Sequence, residues 1–210
     1  MNGVLPFFGS VDWYREVVSS GECLINGQDV YRRQTPRNRC DIVGANGVQT
    51  LTVPVTLPET AKSGRCPMRE VLISDHGNWR HVHWQTLASA YGMSPFFDFY
   101  ADDIRPFFEE HKWKYLFDYN LDITHTMLQL LGAENVELRI VDKSSARSSH
   151  FDNRSPQKSP QSSSQSSSQK SQLVYYQTFQ RRHGFIPGMS ILDLLFNEGP
   201  EAILKLKAKG

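Results

Sequence analysis

Four arginines lie close together in the segment YRRQTPRNRC, residues 31–40, which contains no acidic residue. They are Arg32, Arg33, Arg37 and Arg39. A guanidinium group offers paired N–H donors to carboxylate and phosphate oxygens, so this cluster could hold an anion. The pattern predicts a site for a carboxylate, a phosphate or a nucleotide diphosphate. A solvated loop whose arginines pair with scattered acids is the alternative interpretation.

The chain as a whole is almost neutral, with 23 Lys and Arg against 22 Asp and Glu in 210 residues. A protein that neutralises many phosphates carries a basic excess, so the composition argues against a nucleic-acid partner and favours one small anionic ligand. No apolar run approaches the roughly 18 residues that a membrane span needs. The first residues lack the basic region and apolar run of a secretion signal, and we expect a cytoplasmic protein.

Three histidines in the segment HGNWRHVHWQ, His76, His81 and His83, suggest a metal site at first sight. The apolar residues that follow recur at helical spacing, which predicts a helix beginning near Trp79. Positions 81 and 83 of a helix point roughly 200° apart and cannot share one ion. His83 borders the apolar face of this helix. It could be a general base, or equally a core-edge histidine with a structural hydrogen bond.

Other patterns that would indicate a metal or a cofactor are weak or missing. Asp98 and Asp102 lie four residues apart, as do Asp118 and Asp122, but exposed pairs of like charge are ordinary on helices. The glycine patterns that cradle dinucleotides and nucleoside triphosphates do not occur in the sequence. The three cysteines show no metal-like spacing. We therefore predict neither a metal nor a cofactor.

The elements that would position the arginine cluster lie in the N-terminal half. Segments GVLPFF, ECLING and QDVYRRQ are strand candidates, and SVDWYREVVSS is a helix with a possible cap at Ser10 and an end before Gly21. The segments DIVG and QTLTVPV flank Asn46-Gly47, a strong turn dipeptide, and predict a hairpin. The arginine cluster would therefore lie on a strand end or a loop, where binding groups are commonly placed.

A helical block follows, with helices at about 79–92, 95–110 and 114–131. Its many aromatic residues are typical of core packing, although some rings could also form the wall of a pocket. Near the C-terminus, Ser190 is expected to cap a short helix with the apolar segment SILDLLF. That helix is too apolar to be left in water, so we expect it to dock on the core.

Residues 144–172 interrupt this organisation with a Ser/Gln-rich segment that can bury little apolar surface, and we predict that it is disordered. The flanking segments NVELRIV and LVYYQTF alternate at strand period and predict two neighbouring strands. The sequence thus indicates one α/β domain over residues 1–210. We expect it to have a mixed sheet, the helical block at about 79–131 and the disordered insert.

Several segments together resemble the WbqC-like protein family of bacteria. They are YRRQTPRNRCDIVGANGVQTLTVPV, NWRHVHWQTLASAYGMSPFFDFYADDIRPFF and GFIPGMSILDLLFNEGPEA, and the resemblance covers nearly the whole chain outside the insert. The R-N-R-C, L-T-V-P-V and W-x-x-x-H-W patterns occur in the family's order. The N-terminal segment LPFFGSVDWY departs from the family, which is often rich in Gln, Pro and Tyr there.

The resemblance implies a role in bacterial surface polysaccharide (O-antigen) biosynthesis, as a transferase that moves a glycyl or other acyl group onto a nucleotide-linked amino sugar. Under this hypothesis Arg37 and Arg39 clamp the diphosphate, Asn38 contacts a sugar or carbonyl group and His83 is the catalytic base. Trp79, Trp84 and Tyr91 also match the family pattern and are expected to contact substrate. The alternative is a non-catalytic binding or scaffold protein of a polysaccharide biosynthesis complex.

Overall fold

The computed structural model describes residues 2–59, 61, 65–142 and 173–208. It confirms the predicted α/β class, with small sheets and several helices. The strands of the described residues belong to three separate small sheets, of which one is parallel and two are antiparallel. The segment at 144–172 that the sequence predicts to be disordered lies outside the described residues.

The parallel sheet has three strands: β1 (Asn2–Gly3), β2 (Glu22–Asn26) and β7 (Glu137–Val141). Strand β2 lies in the middle and pairs with β1 on one side and with β7 on the other. Since β2 follows β1 through a helix, this opening has the strand–helix–strand order that the sequence predicts. The predicted strand over GVLPFF is much shorter than expected, because only Gly3 of that segment pairs with a neighbour.

Helix α1 (Val11–Ser20) begins and ends where the sequence predicts. The Ser10 side-chain oxygen accepts a hydrogen bond from the Trp13 N–H at 3.3 Å, which satisfies one of the free donors of the first turn. Gly21 ends the helix with φ +67°, in the left-handed region that glycine enters without steric cost. The helix buries Trp13 and packs against the C-terminal helix described below.

The predicted hairpin is present as β3 (Arg39–Gly44) and β4 (Gly47–Thr52), with Ala45 and Asn46 forming the turn. A second antiparallel pair joins β5 (Val55–Thr56) to β6 (Leu72–Ile73). The strand predicted over QDVYRRQ is wrong. Gln34 has φ +59°, which breaks the extended conformation, and only Val30 forms a bridge, to Pro67.

The helical block confirms the prediction, with one difference. It comprises α2 (Trp79–Tyr91), α3 (Phe97–Ile104), α4 (Pro106–Glu109) and α5 (Leu116–Leu130). The second predicted helix is divided into α3 and α4 at Pro106, because proline has no N–H to continue the hydrogen-bond ladder. Helix α2 packs against both β3 and α4, and these contacts bring the hairpin, α2 and α4 together.

The C-terminal part contains α6 (Gln180–His183), α7 (Ile191–Glu198) and α8 (Ala202–Lys207). Short 3-10 turns occupy Met68–Glu70 and Gly199–Glu201. The strand predicted over LVYYQTF is wrong. That segment pairs with no strand among the described residues, because its polar groups bind side chains of α7 instead.

Helix α7 is the centre of the core, as its composition predicts. Ser190 accepts a hydrogen bond from the Leu192 N–H and caps it, and every apolar side chain of the helix is buried. Around it lies an aromatic core in which Phe8 stacks on Phe108 with ring centroids 5.7 Å apart. Among the described residues, no helix is both long and apolar enough to cross a bilayer.

Candidate functional site

A cleft of about 240 Å³ opens at the N-terminus of α2, between the loop before that helix and the end of α4. Gly77 has φ +75°, which lets the chain turn sharply into the helix. Asn78 stands at the N-cap position but forms no side-chain cap, so the first turn of α2 is left open toward the cleft. The cleft is lined by Asp75, Gly77, Asn78, Trp79, Arg80, His81, Trp84, Phe108, Glu109 and His111.

Arg80 is the buried cation of this cleft, with 5% of its surface exposed. Its Nη1 lies 3.0 Å from Asp75 Oδ1, and its Nε donates to the Glu110 carbonyl oxygen at 3.3 Å. The Trp79 ring covers the guanidinium group, with Cζ 4.3 Å from the ring centroid. The remaining nitrogen, Nη2, is buried and has no hydrogen-bond partner among the described residues. Arg80 is therefore held rigidly with one donor group unused.

An imidazole and a carboxylate meet at the rim of the cleft. His111 Nδ1 lies 3.5 Å from Asp75 Oδ1, the same oxygen that binds Arg80, and both His111 and Asp75 are exposed. This distance is longer than that of an ordinary hydrogen bond, but such pairs often tighten only when substrate is bound. A histidine oriented by a carboxylate through one ring nitrogen can accept a proton at the other.

Aromatic rings form the wall of the cleft. The Trp79 indole N–H donates to the Ser74 carbonyl oxygen at 3.0 Å, which fixes the ring next to Arg80. Trp84 stacks on Phe97, with centroids 5.8 Å apart and an interplanar angle of 28°. Trp84 also packs against Phe108, which lines the same cleft. The structure thus brings Trp79 and Trp84, both expected in the site, to one wall, where their flat faces could stack on a base or a sugar.

His83 lies behind this wall and is only 8% exposed. Its Nε2 accepts a hydrogen bond from the Thr52 N–H of β4 at 3.4 Å, and its ring packs edge-on against Trp79. Burial lowers the pKa of His83 from 6.5 to about 4, so the ring is neutral at neutral pH. His81 points to the other side of α2 and lines the cleft, as the helical geometry predicts. In this arrangement His83 joins α2 to the hairpin.

Arg37 is buried in an ion pair, away from the cleft. Its Nη2 lies 2.6 Å and its Nε 3.0 Å from Asp29 Oδ2, and its Nη1 donates to the Thr35 hydroxyl oxygen. Only 2% of Arg37 is exposed. Its backbone carbonyl oxygen also accepts a hydrogen bond from the Asn120 side chain at 2.7 Å. These contacts tie the arginine segment to α5, and they occupy the guanidinium group that the sequence suggests as an anion clamp.

Asn38 and Arg39 lie at the start of the hairpin, next to the strand that binds His83. The Asn38 side chain donates to the Val53 carbonyl oxygen at 3.0 Å, and Arg39 pairs in register with Thr52. Asn38 Oδ1, Arg39 Nε and His83 Nδ1 are all buried without a hydrogen-bond partner among the described residues. Unsatisfied buried polar atoms are rare in native proteins and call for an explanation such as a bound ligand or water.

Tyr91 belongs to a different region, at the opposite end of α2 and about 18 Å along the helix from Trp79. Its hydroxyl donates to Asp193 Oδ1 at 2.8 Å and accepts a hydrogen bond from the Val43 N–H. The Tyr175 hydroxyl and the Gln177 amide both donate to Asp193 Oδ2 at 2.7 Å. Asp193 is only 1% exposed, and its burial raises its pKa. This network connects β3, α2, α7 and the segment after the insert.

Asp75, Arg80 and His111 were not predicted as site residues, although Asp75 and Arg80 lie in or beside the segment HGNWRHVHWQ and His111 follows the aromatic helices. Asp75 and Arg80 flank the glycine turn that opens α2, and a loop entering a helix is a common place for anion binding. The glycine turn and the start of the helix can both be recognised in the sequence. His111 follows α4, and no local pattern relates it to Asp75, which lies 36 positions earlier in the chain. Within the described ranges, no three His, Cys, Asp or Glu side chains are grouped so that they could hold a metal ion.

These features define an α/β protein built on small sheets, with an aromatic cleft that contains a buried arginine at a helix N-terminus. The profile of the WbqC-like protein family matches residues 6–157 and 162–205, so the chain belongs to the WbqC-like protein family. The chain is also similar to the uncharacterized protein Rv1507c of Mycobacterium tuberculosis. The two are 27% identical over 203 residues, which cover 86% of this chain and 85% of that protein. No solved structure matches the chain significantly.

Proposed function

We propose that this protein is a transferase of bacterial surface polysaccharide (O-antigen) biosynthesis that moves a glycyl or other acyl group onto a nucleotide-linked amino sugar. The observation that carries the proposal is the cleft at the start of α2. There, one small volume combines an aromatic wall, a buried arginine and a histidine beside a carboxylate. A nucleotide-linked amino sugar presents a flat base, phosphate charges and an amine, which are the groups that these side chains suit.

His111 is the proton acceptor in this proposal, and Asp75 orients it. When Nδ1–H of His111 faces Asp75, its Nε2 is free to accept a proton from the sugar amine. The amine nitrogen attacks the carbonyl carbon of an acyl donor activated as an ester or a thioester. The C–N bond forms and the C–O or C–S bond breaks, and His111 returns the proton to the leaving alcohol or thiol.

The residues that match the family pattern have supporting parts in the same proposal. Trp79 and Trp84 stack on the base or the sugar, and the buried imidazole of His83 holds Trp79 against the hairpin rather than acting as the base. Asn38 Oδ1 and Arg39 Nε have no hydrogen-bond partner among the described residues, and they could contact a second part of the substrate near His83. The proposal also implies a cytoplasmic protein, because nucleotide-linked sugars are cytoplasmic metabolites.

An acyl-transfer assay tests the proposal. The full chain is incubated with a nucleotide-linked amino sugar and a glycyl thioester, and the acylated sugar is detected by mass spectrometry. We expect His111→Gln to reduce the rate by about 100-fold, which is typical for loss of a general base. The matched control is His76→Gln, because His76 is exposed and does not line the cleft. Absence of transfer by the unmodified protein, or an unchanged rate in His111→Gln, would contradict the proposal.

A second candidate function is a non-catalytic binding or scaffold protein in a polysaccharide biosynthesis complex. Its support is three exposed apolar side chains on and between α2 and α3: Val82, Met93 and Phe99 are 56%, 92% and 71% exposed. Large exposed apolar side chains are found at protein interfaces. A thermal-shift screen separates the two functions. A nucleotide-linked sugar should raise the melting temperature of a transferase, whereas only a protein partner should raise that of a scaffold.

A further inference from the structure

The first turn of α2 offers unused hydrogen-bond donors to the cleft. The backbone N–H groups of Trp79, Arg80 and His81 have no acceptor among the described residues, as is usual for the first turn of a helix. Such groups point back along the axis beyond the helix start. Here that direction leads to the loop at Asp75 and Gly77, which lines the cleft. The first turn contains no acidic residue, so no carboxylate of its own compensates the positive end of the helix dipole.

A buried side chain points to a ligand at the same place. The side chain of Arg80 is only 6% exposed and lines the cleft, and its Nη2 has no hydrogen-bond partner among the described residues. A guanidinium N–H that is buried away from water without a hydrogen-bond acceptor is unfavourable, and an anion in the cleft would provide that acceptor. The open first turn and the unused Nη2 are independent observations, and both call for an acceptor that carries negative charge.

The acidic side chains of the cleft are already matched by cations. Asp75 binds Arg80 through Nη1, which leaves Nη2 available. Glu109 lies 2.6 Å from Nε of Arg105, one turn earlier in the chain. After these two pairs are counted, the side-chain charges of Asp75, Arg80 and Glu109 are compensated, and the positive end of α2 remains on the cleft surface. A negatively charged ligand suits that end of the helix.

We propose that the first turn of α2 and Arg80 form a phosphate-binding subsite. A phosphate group presents several oxygens in different directions, so it can accept from backbone N–H groups and from Nη2 at the same time, which a single carboxylate does less well. Trp79 and Trp84 lie beside the subsite and would contact the organic part of the ligand. The subsite refines the proposed function. It depends on that function only for the identity of the organic part of the ligand. In this proposal the subsite takes the place of the clamp by Arg37 and Arg39 that the sequence suggests.

Titration of the full chain with inorganic pyrophosphate tests the subsite, with tryptophan fluorescence and calorimetry as the two readouts. Arg80→Gln removes the buried cation, and we expect it to weaken pyrophosphate binding by about tenfold or more. Arg69→Gln is the matched control. The Arg69 side chain is exposed and pairs with Asp142, and neither residue lines the cleft, so binding should stay within about twofold.

Asn78→Asp keeps the test valid if Arg80→Gln fails to fold. Asn78 is exposed, and a carboxylate at this N-cap position interacts favourably with the first turn while it repels a bound anion. We expect the folded protein to be at least as stable as wild type but to bind pyrophosphate about tenfold more weakly. Wild-type binding in Asn78→Asp, or no pyrophosphate binding by the unmodified protein at millimolar concentration, would overturn the subsite.

The binding readout does not depend on any reaction. If Asn78→Asp weakens pyrophosphate binding and the unmodified protein shows no acyl transfer, the subsite is supported and the transferase is refuted. The opposite result is that Asn78→Asp changes neither acyl transfer to a nucleotide-linked amino sugar nor pyrophosphate binding. That result would support the transferase and refute the subsite.

Discussion

Replacing Asp29 with asparagine removes the charge partner of a buried arginine and tests what Arg37 does. The Asp29 carboxylate receives two N–H groups of Arg37 at 3.0 and 2.6 Å, and it is 18% exposed while Arg37 is 2% exposed. Asp29→Asn retains the size of the side chain and one acceptor oxygen, but it removes the negative charge. The buried guanidinium group would then lose its ion pair with Asp29. The variant therefore separates a structural arginine from a ligand-binding one.

The size of the effect follows from the burial of the two partners. Breaking a fully buried ion pair by removing one partner costs about 3–5 kcal/mol. Asp29 keeps some contact with water, and asparagine can still accept one hydrogen bond, so we expect a loss of about 2–3 kcal/mol. That loss would lower the equilibrium constant for folding by roughly 30- to 150-fold.

Urea unfolding followed by circular dichroism measures this loss. Asp142→Asn is the matched control. Asp142 pairs with Arg69 at 3.1 Å, but both side chains are well exposed, so its loss should cost under about 0.5 kcal/mol. If Asp29→Asn were as stable as the control, the ion pair would not be structural. Arg37 would then again be a candidate for the anion clamp that the sequence suggests.

Three further substitutions have expected outcomes in unfolding experiments. The pKa of His83 is lowered to about 4, so the unfolded chain binds its proton more tightly, and stability should fall by about 2–3 kcal/mol as pH drops from 6.5 to 4. His83→Gln should abolish that part of the pH dependence. Tyr91→Phe should cost about 2–3 kcal/mol in urea unfolding, because it leaves the Val43 N–H and Asp193 Oδ1 unpaired. Ser190→Ala removes the cap of α7 and should cost about 1–2 kcal/mol in the same assay.

Each of these substitutions has a control or a contradicting result. For Tyr91→Phe the control is Tyr176→Phe, since Tyr176 is 54% exposed and should lose little stability. A stable Tyr91→Phe variant that binds substrate poorly would instead support the substrate contact expected from the family pattern. An unchanged pH profile in His83→Gln would show that the histidine is not held neutral by burial. No loss of stability in Ser190→Ala would mean that the cap is not needed.

Local signals in the sequence were enough to predict much of the fold. The caps at Ser10 and Ser190 and the glycine after α1 act on backbone groups within a few residues of themselves, so their effect can be predicted from neighbouring positions. The turn between β3 and β4 is equally local, as is the break at Pro106 that the prediction overlooked. Apolar spacing predicted the buried face of α2 for the same reason.

The failures have a physical cause in contacts between distant segments. LVYYQTF has the alternation of a strand, but Tyr175 and Gln177 bind the Asp193 carboxylate of α7 instead of completing a sheet. Arg37 forms an ion pair with Asp29, and the spacing of the two residues in the sequence does not predict that pair. The sequence therefore draws attention to the arginine segment and to the tryptophans of α2, but it could not predict that Arg37 is buried in an ion pair or that Arg80 lines a cleft.

The most direct test of the central claim is a crystal structure of the protein with a nucleotide-linked amino sugar. The proposal predicts density in the cleft at the start of α2, with a phosphate at the first turn and Arg80 and with a ring against Trp79 or Trp84. The amine should lie within hydrogen-bonding reach of His111. An empty cleft with the ligand bound elsewhere, for example beside Arg39, would contradict the claim.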